Sequence, residues 1–226
     1  RALISVSDKS GIENLAHFLI SSGIEILSTG GTAGFLSASG IKVIDVNNFT
    51  RFPEILEGRV KTLHPKVHGG ILAKRDDKLH KKAIHDHGIE FIDLLVINLY
   101  PFESAVSSGA SYEDCIEKID IGGPALLRAG AKNYNYVTVI SDPNDYAELI
   151  TEIREGEGQV SNKFRQQKAA KAFGLTASYD ASISQWFNLR CGNTMPERIT
   201  FSGLLRQELR YGENPHQKGC FYQSNQ

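Results

Sequence analysis

Two spacings of apolar residues alternate along the first 150 positions. Ala2-Leu3-Ile4-Ser5-Val6 is a short β-branched run closed by the polar Ser7-Asp8-Lys9-Ser10-Gly11, which predicts a strand and a turn. Ile12, Leu15, Ala16 and Leu19 then fall at i, i+3, i+4 and i+7, the period of an amphipathic helix that Gly23 ends. Residues 24–28 predict a second strand, which runs into Thr29-Gly30-Gly31-Thr32 and a helix through Ser39. Residues 42–46 predict a third strand after Gly40. Residues 92–99 are the most continuous apolar run, as a central parallel strand requires. A further strand is expected at 136–140, and a helix capped by Asp142 with Pro143 in its first turn. Strands and helices taking turns at this pace specify an α/β domain with a mostly parallel sheet and helices on both faces.

Elsewhere the pattern is less regular. Residues 47–74 break the rhythm and are expected to be irregular, a trait more common in functional segments than in idle ones. Residues 76–87 read as an exposed charged helix stopped by Gly88, and another helix begins near Ser111. Ile119-Asp120-Ile121-Gly122-Gly123-Pro124 opens a helix carrying Arg128 and Lys132. Residues 161–187 form a long helical region in which Ala169, Ala172, Phe173 and Thr176 keep the period, its aromatics reading as packing. Beyond residue 195 the composition turns loop-like, so the domain is expected to cover 1–195, with 196–226 a linker and the truncated start of a second domain.

Within the irregular stretch, Gly58-Arg59-Val60-Lys61-Thr62-Leu63-His64-Pro65 gathers two cations, a hydroxyl and an imidazole. If extended, the segment points Arg59 and Lys61 the same way, a pairing suited to a phosphate and a second polar group. Pro65 keeps His64 out of helical angles, so the segment is expected to end as extended loop. Alone it reads first as a solvated basic turn. Ligands in an open parallel sheet bind at the carboxyl ends of the strands. Ser7-Asp8-Lys9, Thr29-Gly30-Gly31-Thr32, and Asn98 with Tyr100 all fall at such ends. The Thr-Gly-Gly-Thr turn exposes backbone N–H groups at a helix start, where an anion is favoured. It is neither a P-loop nor a dinucleotide fingerprint. With Lys9, Arg59 and Thr62 it reads as a monophosphate cradle. Asp120 serves as a helix cap or a working carboxylate, and Lys132 as an ordinary helix-end lysine or a functional one. His64 and His68 lack a carboxylate partner for a metal, and no metal site is expected.

A net charge of −1 argues against general binding to nucleic acid or a membrane surface, so any anion site must be a local concentration of cations. Cys115, Cys191 and Cys220 form neither a disulfide framework nor paired metal spacing, which suits a reducing, cytoplasmic setting. No apolar run reaches the ~20 residues of a membrane span. The chain starts at Arg1 on a strand and ends in polar sequence, and both ends are expected to be trimmed.

Ser7-Asp8-Lys9, Ser28-Thr29-Gly30-Gly31-Thr32, Gly58 to Pro65, Asn98-Leu99-Tyr100-Pro101-Phe102 and Asp120-Ile121-Gly122-Gly123 occur in that order. Together they resemble the N-terminal half of the bifunctional AICAR formyltransferase/IMP cyclohydrolase family. Leu209-Arg210-Tyr211-Gly212-Glu213-Asn214-Pro215-His216-Gln217 is similar to the opening of its formyltransferase half. The resemblance implies a methylglyoxal-synthase-like (Rossmann-like) domain, a homodimer, and closure of the purine ring of FAICAR to give IMP and water. It implies that Ser7, Asp8, Lys9, Thr29, Gly30, Gly31, Thr32, Arg59, Val60, Thr62, Ile97, Asn98, Ile121, Gly122 and Gly123 hold the nucleotide. Lys61, Tyr100, Asp120 and Lys132 would surround the reacting atoms. Arg210 and Tyr211 would contact substrate only in the full-length protein, whose formyltransferase half takes 10-formyltetrahydrofolate as co-substrate; the cyclohydrolase needs no cofactor. The same fold also resembles methylglyoxal synthase, a lyase, and regulatory nucleotide-binding domains that bind without turnover.

Overall fold

The computed structural model describes residues 1–214 and 216–224. Strands β1 (Ala2–Ser5), β2 (Ile26–Ser28), β3 (Ile44–Asp45), β4 (Leu94–Ile97) and β5 (Thr138–Ile140) form one parallel sheet in the order β3-β2-β1-β4-β5. The connecting helices are α1 (Ile12–Ser21), α2 (Gly30–Ala38), α3 (Val46–Thr50), α4 (Pro65–Leu72) and α5 (Lys78–Asp86). They continue with α6 (Phe102–Ser107), α7 (Tyr112–Glu117), α8 (Gly122–Lys132), α9 (Tyr146–Glu155) and α10 (Asn162–Arg190).

Side chains of a strand alternate between faces, and two cores result. Ala2, Ile4, Leu94 and Val96 pack with Ile12, Leu15 and Leu19 of α1 and with Leu149 and Ile153 of α9. Leu3, Leu27, Leu95 and Ile97 pack on the other face with Val67 and Ile71 of α4, Leu126 and Leu127 of α8, and Ala169 and Ala172 of α10. Helix α8 lies close on the sheet because Gly130 has no side chain. A Cβ there would stand 2.5 Å from Leu95 and 2.6 Å from Val139. A smaller cluster of Phe102, Cys115, Tyr179 and Trp186 ties α6 and α7 to the middle of α10.

The strands are shorter than the apolar runs that predict them, because only the segments facing a paired neighbour extend the ladder. The stretch 47–74 is less irregular than expected, since it holds α3 and α4. His64 is extended, at φ −135° and ψ 139°, as a residue before proline should be. Pro65 nevertheless starts a helix, in the first turn where a missing N–H costs nothing. His64 caps it, Nδ1 accepting from Lys66 N at 3.1 Å. Helix α6 was likewise not anticipated, and α10 is continuous over 29 residues. Strands β6 (Gly203–Glu208) and β7 (Cys220–Ser224) form an antiparallel pair within a stretch expected to be loop. Their side chains are exposed, leaving no alternation to read.

Candidate active site

The sheet order reverses between β1 and β4: the chain winds from β1 to β2 and β3 on one side, and from β4 to β5 on the other. A crevice opens at such a switch point. Asn98, just past β4, closes its floor. Its Oδ1 accepts from Ser7 N at 2.6 Å and Asp8 N at 3.0 Å, and its Nδ2 donates to Asp8 O at 2.8 Å. The Asn98 amide is therefore spent on shaping the turn after β1.

Above that floor is a cleft of about 160 Å³ lined by Ser5, Ser7, Lys9, Thr29, Gly31, Thr32, Lys61, Thr62, Ile97, Asn98, Tyr100, Asp120, Gly122 and Gly123. It continues into an outer groove of about 580 Å³ that shares Lys61, Thr62, Tyr100, Asp120 and Gly122 and adds Arg59, Glu117, Lys118 and Ile121. Segments far apart in sequence thus converge on one place.

One wall is the start of α2. Thr32 N and Ala33 N bond back to Thr29 O, at 3.0 and 3.1 Å, so the Gly30 and Gly31 N–H groups precede the first turn bonds. These are the donors an anion meets at a helix N-terminus. The Thr32 hydroxyl is committed elsewhere: it accepts from Val6 N at 3.1 Å and donates to Val6 O at 3.0 Å, pinning the end of β1. Thr29 Oγ1 shares a hydrogen bond of 2.8 Å with Ser5 Oγ. Ser5 is a cleft residue that the motif reading passed over, although its place at the carboxyl end of β1 was a signal.

The basic segment is not extended. Ile55 bridges back to Val60, and Leu56, Glu57 and Gly58 take left-handed angles at φ 55°, 56° and 86°. Arg59 and Lys61 accordingly part company. Arg59 sits at the exposed rim, paired with Glu117, while Lys61 turns inward, its Nζ 3.7 Å from where a Gly30 Cβ would be. Thr62 is buried beside Gly122. Val60 lies in the bridge rather than on the cleft lining, and Asp8 is exposed, with Oδ1 accepting from Ser10 N at 2.9 Å.

Opposite Lys61 stands Asp120, ahead of α8. Its Oδ1 accepts from Gly123 N at 2.8 Å, and Tyr100 N donates to the same carboxylate. Burial holds the Asp120 carboxyl above the usual carboxylate range, outweighing those donors and the positive charge of Lys61. Gly123 must be glycine, because a Cβ would fall 2.5 Å from Asp120 Oδ2 and 2.7 Å from Leu99. Tyr100 is half exposed beneath the Lys118 ammonium, which lies 5.9 Å from its ring centre.

Lys132 does not join this cluster. It ends α8, whose first residue borders the cleft, so it stands about 15 Å along the helix axis at 1.5 Å per residue. It lines a separate groove between α8 and α10 with Leu72, Arg128, Tyr134 and Phe173. Sequence reading could not separate the two ends of α8 in space. Arg210 and Tyr211 lie exposed between β6 and β7, away from the cleft lining, and Pro215 of that motif falls outside the described residues. Among the described residues, no three His, Cys, Asp or Glu side chains gather as a metal site would require. No helix among them is long and apolar enough to cross a membrane.

A doubly wound sheet with a helix start and a Lys–Asp–Tyr cluster facing one cleft at its switch point defines the α/β class in which ligands are taken at that place. Residues 11–125 match the family described as MGS-like domain, and the chain belongs to that family. Residues 130–226 match the family described as AICARFT/IMPCHase bienzyme. The chain is 57% identical over 222 residues to a bifunctional purine biosynthesis protein PurH from Cereibacter sphaeroides, and 54% identical to one from Paracoccus denitrificans. Each alignment covers 98% of this chain and 42% of the relative, so the chain spans less than half the length of these proteins. A solved structure titled "Crystal structure of ForH" superposes with a TM-score of 0.72 at 37% identity, over 82% of this chain and 97% of that one. The limit between the two family matches near residue 130 is no structural border, since β5 belongs to the same sheet as β1 to β4.

Proposed function

We propose that this chain is an IMP cyclohydrolase, closing the purine ring of FAICAR to IMP with loss of water. The convergence of Lys61, Tyr100 and Asp120 beside an anion cradle carries the reading. The relatives reported above are named for purine biosynthesis and not for a lyase or a regulator. The Gly30 and Gly31 N–H groups, Lys9 and Thr62 hold the phosphate, and the base extends past Lys61 toward Asp120 and Tyr100. Arg59 reaches the ligand from the rim once it leaves Glu117. The carboxamide nitrogen attacks the formamide carbon, both on one substrate, so fixing their rotamers supplies the proximity. Lys61 stabilises the oxyanion that forms on the former carbonyl oxygen. The oxygen needs two protons to leave as water, and the carboxamide and formamide nitrogens each lose one. Asp120, whose burial favours its protonated form, delivers one proton to the oxygen. The two nitrogens release theirs toward solvent at the Tyr100 side, which returns the second proton to the oxygen and reprotonates Asp120, so no cofactor is required.

The domain ends near residue 195, and the full-length protein adds formyl transfer from 10-formyltetrahydrofolate to AICAR. The working unit is a cytoplasmic homodimer that binds no nucleic acid. Any part Lys132 plays is then across the subunit boundary, because it cannot reach its own cleft.

Gly31→Asp tests the cradle. A side chain at Gly31 meets nothing within 4 Å, so the variant folds, yet it sets a negative charge at the helix start. Calorimetric titration should show IMP binding weakened at least about tenfold. Unchanged affinity would place the phosphate elsewhere.

A further inference from the structure

We infer that Tyr179 is a positioning residue for the ring closure, holding Asp120 at its working place through the backbone. The inference rests on the cyclohydrolase reading above. Asp120 N donates to Tyr179 Oη at 2.8 Å, and that hydroxyl donates in turn to Lys118 O at 3.1 Å. One phenol thus satisfies two backbone groups of the turn between α7 and α8, a turn that neither helix completes. The contact spans 59 residues, so the strut is tertiary.

The strut itself is rigid. Tyr179 is 7% exposed in the cluster of Phe102, Cys115 and Trp186. Phe102 meets its ring edge-on at 6.3 Å and is braced edge-on by Trp186 at 5.7 Å. A hydroxyl fixed this way sets where Asp120 Cα lies, and so whether the carboxyl faces Lys61 or turns toward solvent. Burial also keeps the phenol protonated, preserving its donor to Lys118 O. The ionisable groups that share the cleft and groove with Asp120 are Lys9, Lys61 and Tyr100, then Glu57, Arg59, Glu117 and Lys118 toward the rim, with Asp180 adjoining Tyr179 on α10. Tyr179 itself lines neither the cleft nor the groove and reaches Asp120 through its backbone N, which is why the sequence reads it as packing.

The test compares Tyr179→Phe with Trp186→Leu, which loosens the same cluster without removing a polar contact to the turn. Wild-type FAICAR turnover is measured first. For Tyr179→Phe, kcat should fall at least about fivefold with KM changed less than about twofold, and the alkaline limb of the kcat–pH profile, where Asp120 loses the proton it must deliver, should move to lower pH as Asp120 gains solvent. Trp186→Leu should lower Tm and leave that limb in place. If Tyr179→Phe does not fold, 3-fluorotyrosine at position 179 decides the matter. Its more acidic phenol should add a second loss of kcat, at higher pH than the one Asp120 causes, that the wild type lacks. A Tyr179→Phe enzyme with lowered Tm but unaltered kcat and pH profile, or a fluorotyrosine enzyme without the new limb, overturns the positioning role alone. Absence of IMP from the wild-type chain overturns the cyclohydrolase reading along with it.

Discussion

Asp120 carries opposed demands. Its carboxylate caps α8 through Gly123 N, yet burial raises its pKa, so ionisation costs the folded state. Between its unfolded and folded pKa values the folded chain binds more protons. Stability therefore falls as pH rises through that window, and the cost persists above it. Asp120→Asn keeps an acceptor for Gly123 N and removes the charge. Its Tm near neutrality should equal or exceed the wild-type value, with a shallower decline from about pH 4 upward, while IMP formation drops by ~10²–10⁴. Thermal melts across pH beside a FAICAR assay check both halves. A lower Tm at pH 7 with retained turnover would show that the carboxylate is only a cap. That Lys61, Tyr100 and Asp120 meet at one cleft was legible through the resemblance the motifs carry, which also set Lys132 there, where the structure does not. That Thr32 and Asn98 are spent on the backbone was not, because each partner lies on a different strand.

At the scale of elements, glycine separates helices built for contact from helices built for solvent. Gly130→Ala would drive a methyl into Leu95 and Val139, an overpacking that should cost about 1–3 kcal/mol and lower Tm by several degrees. Gly174→Ala, in the middle of α10 with nothing within 4 Å, should raise stability by about 1 kcal/mol. Denaturant titration of the two variants decides it, and equal effects would mean that α8 is not seated as described. Sequence periodicity found α1, α5, α8 and α10 because each shows a regular apolar stripe or a clear cap and stop. It passed over α4 because eight residues that open on Pro65 and contain Gly69-Gly70 offer only Val67, Gly70 and Ile71 at helical spacing. It passed over β6 and β7 because a fully exposed ribbon carries no buried face to read.

At the scale of the molecule, the alternation of strands and helices was enough to fix a parallel sheet and the end at which chemistry gathers. The strand order, which creates the switch point between β1 and β4, depends on long-range pairing that local pattern does not encode. Assembly adds a further layer. With Lys61 in the cleft and Lys132 outside it, a homodimer that shares Lys132 across subunits predicts complementation. Mixing and refolding Lys61→Ala with Lys132→Ala should restore about a quarter of wild-type turnover, since half of the dimers are mixed and each has one intact site. Inactive parents that stay inactive on mixing would contradict the sharing across subunits, and a Lys132→Ala chain as active as wild type by itself would remove Lys132 from the reaction.

The claim on which the rest depends is ring closure in the cleft at the switch point. Purified chain mixed with FAICAR should generate the absorbance of IMP in proportion to enzyme. Lys61→Ala, confirmed folded by its melting curve, should lose nearly all of that rate, and Lys61→Arg should recover part of it. An inactive wild-type chain that still binds IMP, or a Lys61→Ala chain as fast as wild type, would contradict the account.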